Sequence, residues 1–248
     1  MIPIKTKEEI QIMEEGARIL AQVVEQLKGQ AKPGITTKEL DKIAESLILK
    51  FGAKPSFKGY NGFPATLCVS INEEIVHGIP SQRKLKEGDI VSLDLGLFYK
   101  GFHSDMALTV GVGKISPEAL RLIRITKDVL RVAIRKVRPG NTTGDIGNTI
   151  QRYVESQGFG VVRDLCGHGI GKELHEEPQI LNYGKRHTGE IIKEGMVFCI
   201  EPMVTMGDWR IKKSLDGYGF STKDGSLSAH FEHEVAVTKD GCRILTKI

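Results

Sequence analysis

Two stretches of this chain occur twice, and the repetition restricts its possible folds more than any other feature. Lys32-Pro33-Gly34-Ile35-Thr36-Thr37-Lys38-Glu39-Leu40 returns 106 residues later as Arg138-Pro139-Gly140-Asn141-Thr142-Thr143-Gly144-Asp145-Ile146. Lys86-Glu87-Gly88-Asp89-Ile90-Val91-Ser92-Leu93-Asp94 returns 107 residues later as Lys193-Glu194-Gly195-Met196-Val197-Phe198-Cys199-Ile200-Glu201. Pro-Gly turns are common by themselves, but two echoes at nearly one offset predict an internal duplication. We expect one domain over 1–248, with halves of about 1–113 and 114–248, each built helix–helix–strand. The second echo also sets an acid at the end of one strand, Asp94, against an acid at the end of another, Glu201. Duplicated acids of this kind predict one shared site on a pseudo-two-fold axis.

Helix signals fall where the duplication requires them. Thr6-Lys7-Glu8-Glu9 reads as a capping box, and Ile10, Met13, Ala17, Leu20, Val24 and Leu27 follow at steps of three and four, up to Lys28-Gly29. A second helix starts at Thr36-x-x-Glu39 and is expected to bury Leu40, Ile43 and Leu47 before Gly52. In the second half, Ser116-Pro117 is an N-cap with proline at the first helical position, and its helix is expected to reach about Val137.

Ile90 to Leu97 alternates as a strand, with Val91, Leu93 and Leu95 on one face and Ser92, Asp94 and Gly96 on the other. Phe102 to Val112 reads as its partner across Tyr99-Lys100-Gly101. A hairpin centred between Tyr99 and Lys100 sets Asp94 directly opposite Asp105, where like charges repel. Two buried carboxylates so placed need a shared proton or a cation. A one-residue slip would separate them to opposite faces. The bland alternative, two solvated aspartates, sits poorly with the apolar flanks Leu93, Leu95, Met106 and Leu108.

Three more segments carry ligand-type side chains, each weak alone. His168 stands in Gly167-His168-Gly169-Ile170-Gly171, where glycines let the backbone approach a bound group closely. Glu201 ends an apolar strand, and Glu232 heads the last apolar strand. Several familiar chemistries are missing. His175-Glu176-Glu177-Pro178 lacks the second histidine of a zincin helix. Gly171-Lys172 lacks the residues of a phosphate loop, and no GxSxG or Cys-His signature suggests a covalent nucleophile.

Composition narrows the setting. A net charge of +4 is too mild to imply nucleic acid, so no specific nucleic-acid partner is expected. Cys68, Cys166, Cys199 and Cys242 are scattered without a CxxC pair, as for reduced thiols. No apolar run approaches the roughly 20 residues of a membrane helix, and the N-terminus has no signal-peptide pattern. A cytoplasmic protein without a membrane partner is expected.

Taken in order, Asp94, Asp105, His168, Glu201 and Glu232 resemble the five metal ligands of the methionine aminopeptidase family. Cys68-Val69-Ser70-Ile71-Asn72-Glu73-Glu74-Ile75-Val76-His77-Gly78-Ile79-Pro80, Gly101-Phe102-His103-Ser104-Asp105, Glu201-Pro202-Met203 and Phe231-Glu232-His233 are in family form, as is the glycine-flanked His168 with His175-Glu176-Glu177-Pro178. The likeness spans nearly the whole chain and is nearest the bacterial type I form. It implies an α+β pita-bread fold: two similar halves, an antiparallel sheet and outer helices around a dinuclear centre, making 1–248 a single catalytic metallopeptidase domain.

By the same resemblance, the expected activity is hydrolysis of the initiator methionine from nascent polypeptides whose second residue is small. Asp105 and Glu232 would bridge two ions, Asp94 would chelate the second, and His168 and Glu201 would complete the first, with Glu201 doubling as acid/base. His175 would contact the substrate peptide group, and His77 would help move a proton at the scissile amide. Tyr60, Phe63, Cys68, Leu174 and Tyr218, with both histidines, would bind substrate. Four carboxylates balance two divalent ions, and oxygen-rich coordination with one imidazole suits Co(II), Mn(II) or Fe(II), with Zn(II) as an alternative. The implied partners are nascent-chain N-termini and a transient ribosome contact, the implied state a monomer. Prolidase or aminopeptidase P is the nearest rival reading, and a non-catalytic pita-bread binding module the rival from another class.

Overall fold

The computed structural model describes residues 1–247. Four helices lie outside the sheets: α1 Lys7–Gln30, α2 Thr37–Lys50, α3 Pro117–Ile134 and α4 Thr143–Ser156. Each begins where its cap dictates. Thr6 with Glu9, Thr36 with Glu39 and Thr142 with Asp145 form reciprocal capping boxes, and Ser116 caps α3 ahead of Pro117. α3 ends at Ile134 rather than near Val137. Lys136 and Val137 donate instead to carbonyls three residues back, a tighter last turn that lets the chain leave the helix before Pro139.

The helices bury continuous stripes. α1 contributes Met13, Ala17, Leu20, Val24 and Leu27, as expected. α2 turns slightly from the expected face: Leu40, Ala44 and Ile48 are fully buried, while Ile43 and Leu47 pack only partly. Leu20, Val24 and Leu27 of α1 and the stripes of the other three helices meet one core against Leu67, Val69, Val91, Leu93, Phe198 and Val235 of the sheets, while Met13 and Ala17 join a second cluster with Phe102, Ile170 and Leu174.

Two antiparallel sheets carry the chemistry. In the first, Ile90–Tyr99 pairs with Leu67–Ile71 on one edge and with Phe102–Gly111 on the other. In the second, Val197–Ile200 lies between Cys166–Gly169 and His233–Thr238. The echoed segments thus hold the same central position, each flanked by two antiparallel neighbours. The repeated turns match as well: Thr36 bridges to Lys84, and Thr142 to Ile191. Asp94 is inside its strand, whereas Glu201 follows directly after the end of its own.

The hairpin register differs from expectation by two residues. Asp94 faces Ala107, and Asp105 faces Gly96, because the turn is Lys100-Gly101 alone. Both turn residues have positive φ, +47° and +93°, as a type I′ hairpin turn requires. A two-residue offset conserves side-chain direction, so the aspartates stay on one face as diagonal neighbours.

Thr36 is buried, and its hydroxyl and backbone amide both take part in the cap. Thr36→Ala should lower unfolding free energy by about 1 kcal/mol in urea titration, and Thr36→Ser should recover most of the loss.

Candidate metal centre

The five residues singled out as ligands converge from both sheets. Single carboxylate oxygens of Asp94, Asp105 and Glu232 all lie within 4.8 Å of one another. Glu232 reaches them because its backbone amide donates to the Ala107 carbonyl at 2.9 Å, and Ala107 is the residue opposite Asp94. Glu232 precedes the strand His233–Thr238, and one further strand, Gly241–Ile244, follows.

His168 closes the other side. Its Nδ1 lies 2.9 Å from the Gly169 carbonyl. A carbonyl only accepts, so Nδ1 carries the proton and Nε2 presents its lone pair. That Nε2 lies 3.6 Å from Glu201 Oε1 and 3.9 Å from Asp105 Oδ2. The flanking glycines serve a purpose other than the one expected. A Cβ at Gly167 would sit 2.3 Å from the Cys199 carbonyl, and one at Gly169 2.1 Å from the Glu177 carbonyl. They admit neighbouring strands, which fixes where His168 points.

This cluster is buried and uncompensated. Asp94 is pushed up to about 6, chiefly by burial, while burial and mutual repulsion drive Asp105, Glu201 and Glu232 well above the usual carboxylate range. Burial also holds His168 down to about 3. Asp94 Oδ1, Asp105 Oδ1 and Glu232 Oε1 have no hydrogen-bond partner. Orphaned buried carboxylate oxygens around a free imidazole lone pair are the donor set of a hard-to-borderline divalent cation, so the residues fit metal.

Three contributors went unread in the sequence. Cys199 Sγ lies within 4.8 Å of ligand atoms of His168 and Glu232, with its thiol pushed well up by burial. His230 is 1% exposed, has neither ring nitrogen partnered, and places Nε2 3.7 Å from Glu201 Oε2. Glu234 is fully buried behind the cluster and raised to about 8 by burial. His230, Glu232 and Glu234 alternate along one segment, a period-two signal that was present in the sequence.

The cluster forms part of the lining of a cavity of about 690 Å³, whose wall includes every site residue singled out from the sequence. Tyr60, Phe63, Cys68, Leu174 and Tyr218 make its apolar end, where Phe63 and Tyr218 pack edge to face at 5.6 Å. His175 stands between the two regions. Its Nδ1 pairs with the Tyr60 hydroxyl at 2.8 Å, and its ring centroid is 4.3 Å from that of His168. His77 takes a left-handed backbone, φ +58°, and opens to the cavity; desolvation along its wall, then the neighbouring His230 and His175, lower its pKa to about 4, keeping it neutral. Phe57, Met203 and Phe220 also line the wall.

A buried carboxylate–imidazole cluster at one end of an apolar cavity points to a metallopeptidase, and comparison decides which. The sequence pattern of metallopeptidase family M24 matches residues 11–239. The chain belongs to that family. The methionine aminopeptidase of Clostridium perfringens (strain 13 / Type A) is 51% identical over 248 residues, all of both chains. The crystal structure of the Thermotoga maritima methionine aminopeptidase superposes with a TM-score of 0.98 at 45% identity, covering both chains fully. A Pyrococcus horikoshii prolidase superposes at 0.79 and 25% identity, and the match takes in 98% of this chain but only 63% of the prolidase. The M24 chain is therefore of the methionine aminopeptidase kind, with the pita-bread fold, and it is an enzyme. Family membership implies a divalent metal cofactor. No helix among the described residues is long and apolar enough to cross a membrane.

Without metal, the raised carboxylates make stability depend on pH. Their contribution is complete below the unfolded carboxylate pKa and is lost as pH rises through the folded values. The buried histidines act oppositely: their depressed pKa values cost stability as pH falls below about 6.5. Above that point the loss comes from Glu234, near 8, and from Asp105, Glu201 and Glu232, held well above the carboxylate range, and the buried thiols add to it only toward the top of the range. Chelated protein should therefore lose melting temperature steadily from pH 6.5 to 8.5. Excess Mn(II) should raise the melting temperature and reduce that slope, since it binds the folded, deprotonated site. Equal melting curves in chelator and Mn(II) would count against a buried metal centre.

Proposed function

We propose that this protein hydrolyses the N-terminal methionine of nascent polypeptides whose second residue is small, using two divalent ions held by Asp94, Asp105, His168, Glu201 and Glu232. The observation that carries the reading is the shared cavity: the carboxylate–imidazole cluster and an apolar, sulfur-tolerant end line one space. A thioether fits walls of Tyr60, Phe63, Cys68, Leu174 and Tyr218. The relatives that match end to end bear the corresponding name.

Asp94, Asp105, His168, Glu201 and Glu232 would hold the two ions, with Asp105 and Glu232 serving both, Asp94 the second, and His168 with Glu201 the first. Ions so held would supply charge to polarise a carbonyl and to acidify a water. The chain's own groups do the rest. The methionine side chain enters the aromatic end, which excludes water and aims the scissile peptide at the cluster. His175, oriented by the Tyr60 hydroxyl, donates from Nε2 toward the peptide group. His77, kept neutral at working pH, assists proton movement at the scissile nitrogen. Glu201 takes a proton at its carboxylate and returns it to the leaving amine, a role suited to an acid whose pKa is raised. Mn(II), Fe(II) or Co(II) suit the donor set, with Zn(II) as an alternative. The same reading includes a single catalytic domain over 1–248 with halves of about 1–113 and 114–248, a monomer, a cytoplasmic location, and contact with the ribosome only in passing.

Release of methionine from Met-Ala-Ser, with no cleavage of Ala-Pro, tests the substrate class. The rate along Met-X-Ser should fall sharply from X = Gly, Ala or Ser to X = Leu or Ile. The reverse preference, for Ala-Pro, would transfer the protein to the prolidase branch.

Two substitutions separate the roles. Asp105→Asn should abolish nearly all activity together with at least one bound ion, measured by metal analysis. His175→Ala should lower kcat by roughly 10²–10³, the usual effect of losing one donor to a developing oxyanion, with metal content unchanged. Loss of metal in that second variant would make His175 a ligand and refute the assignment.

A further inference from the structure

The segment ahead of α1 belongs to the first half of the chain, yet it is fastened to the second. The Lys5 amide donates to the Gly195 carbonyl at 2.8 Å. The Lys5 side chain then runs inward, 5% exposed, to pair with Oε2 of Glu176, itself 9% exposed. Glycines shape the path. A Cβ on Gly195 would lie 2.7 Å from Ile4 Cγ2, and one on Gly171 would lie 2.6 Å from Lys5 Cε and 2.7 Å from Glu176 Oε1.

Glu176 is also the far post of a small loop. Its Oε1 accepts from the Glu173 amide at 3.3 Å, the Gly171 amide donates to Glu173 at 3.1 Å, and the His103 amide donates to Gly171 at 2.8 Å. Between these posts stand Leu174, which is 1% exposed at the apolar end of the cavity, and His175. Besides the His103 anchor, the Tyr60–His175 contact and an exposed Lys172–Glu9 pair at 3.5 Å, the loop is held by the buried carboxylate that Lys5 neutralises.

We propose that Lys5 and Glu176 form a clasp by which the N-terminal segment sets the position of Leu174 and His175, which makes Lys5 a positioning residue for substrate. The proposal rests on the reading of His175 as the residue facing the substrate peptide. Lys5 touches neither the cavity's apolar end nor the cluster acids directly. It acts through the loop: without its ammonium, Glu176 is a buried charge lacking its partner, and the carboxylate must turn to water, taking His175 with it.

Two measurements on metal-loaded full-length protein test this. The first is kcat/KM on Met-Ala-Ser. The second is the rate of tryptic cleavage after Lys172, whose side chain is 72% exposed within the loop. Lys5→Met and Glu176→Gln should each lower kcat/KM at least tenfold and speed cleavage after Lys172 at least tenfold, with metal content unchanged. The double variant should be no worse than the worse single one, because the two act as a unit. Parent-like values in both single variants, multiplying effects in the double, or loss of metal would each overturn the clasp. Should Lys5→Met fail to fold, Glu176→Gln decides by the same two numbers, since it retains size and removes only charge. Should the parent protein not cleave Met-Ala-Ser, the proposed function fails, and cleavage after Lys172 alone judges the clasp.

Discussion

Four carboxylates share one cavity wall, and among the described residues no lysine or arginine pairs with them. That is the constraint on which the rest of this structure depends. Unpaired buried charge is among the most costly arrangements a fold can contain, and burial with mutual repulsion keeps these acids far above their ordinary pKa values. Such a cluster needs protons or a divalent cation to offset its charge, and the binding energy of a cation held there becomes folding energy. The helices, the glycine cradles and the hairpin turn all serve to hold those oxygens where one charge can satisfy several of them.

The echoed segments show how one chain brings the acids together. Each half places a central strand between two antiparallel neighbours, and each central strand delivers an acid, Asp94 within its length and Glu201 just beyond its end. The halves are not equal in what else they bring. The first supplies the second aspartate through its tight hairpin, together with His77 and much of the aromatic wall. The second supplies the imidazole lone pair of His168 and the loop bearing Leu174 and His175. The candidate site draws its ligands from both, and the N-terminal segment reaches the loop bearing His175 through the Lys5–Glu176 pair.

Much of this was legible in the sequence because the signals were local. Capping boxes at Thr6, Thr36 and Thr142 fix helix starts through hydrogen bonds that span three residues, and the segments echoed at one offset become the central strands of two sheets. The hairpin shows where local reading stops. A centre assumed between Tyr99 and Lys100 gave a register two residues off, since only the positive φ of both Lys100 and Gly101 reveals a two-residue turn. The conclusion survived because side-chain direction repeats every two residues. Glycines around His168 were read as making room for a bound group, but what they admit is the carbonyls of adjacent strands. Packing partners far away in sequence leave no local mark, and for the same reason Cys199 and the Lys5–Glu176 pair went unread.

His230 shows what the protein environment adds to a residue that sequence treats as unremarkable. Its backbone is clamped by Thr109, whose Oγ1 accepts from the His230 amide at 2.8 Å and donates to the His230 carbonyl at 2.9 Å. Ser92 lies 2.8 Å from the same hydroxyl and so ties the clamp to the strand that bears Asp94. A backbone held so firmly leaves the imidazole little freedom to seek partners, and both its nitrogens go without one. In a core built for stability alone, such a side chain would be replaced by an apolar one of similar size. Here its Nε2 stands 3.7 Å from Oε2 of Glu201, the acid proposed as both ligand and proton carrier. The cost in stability is incurred at the site where the chemistry takes place, which is where buried polar strain is expected to collect.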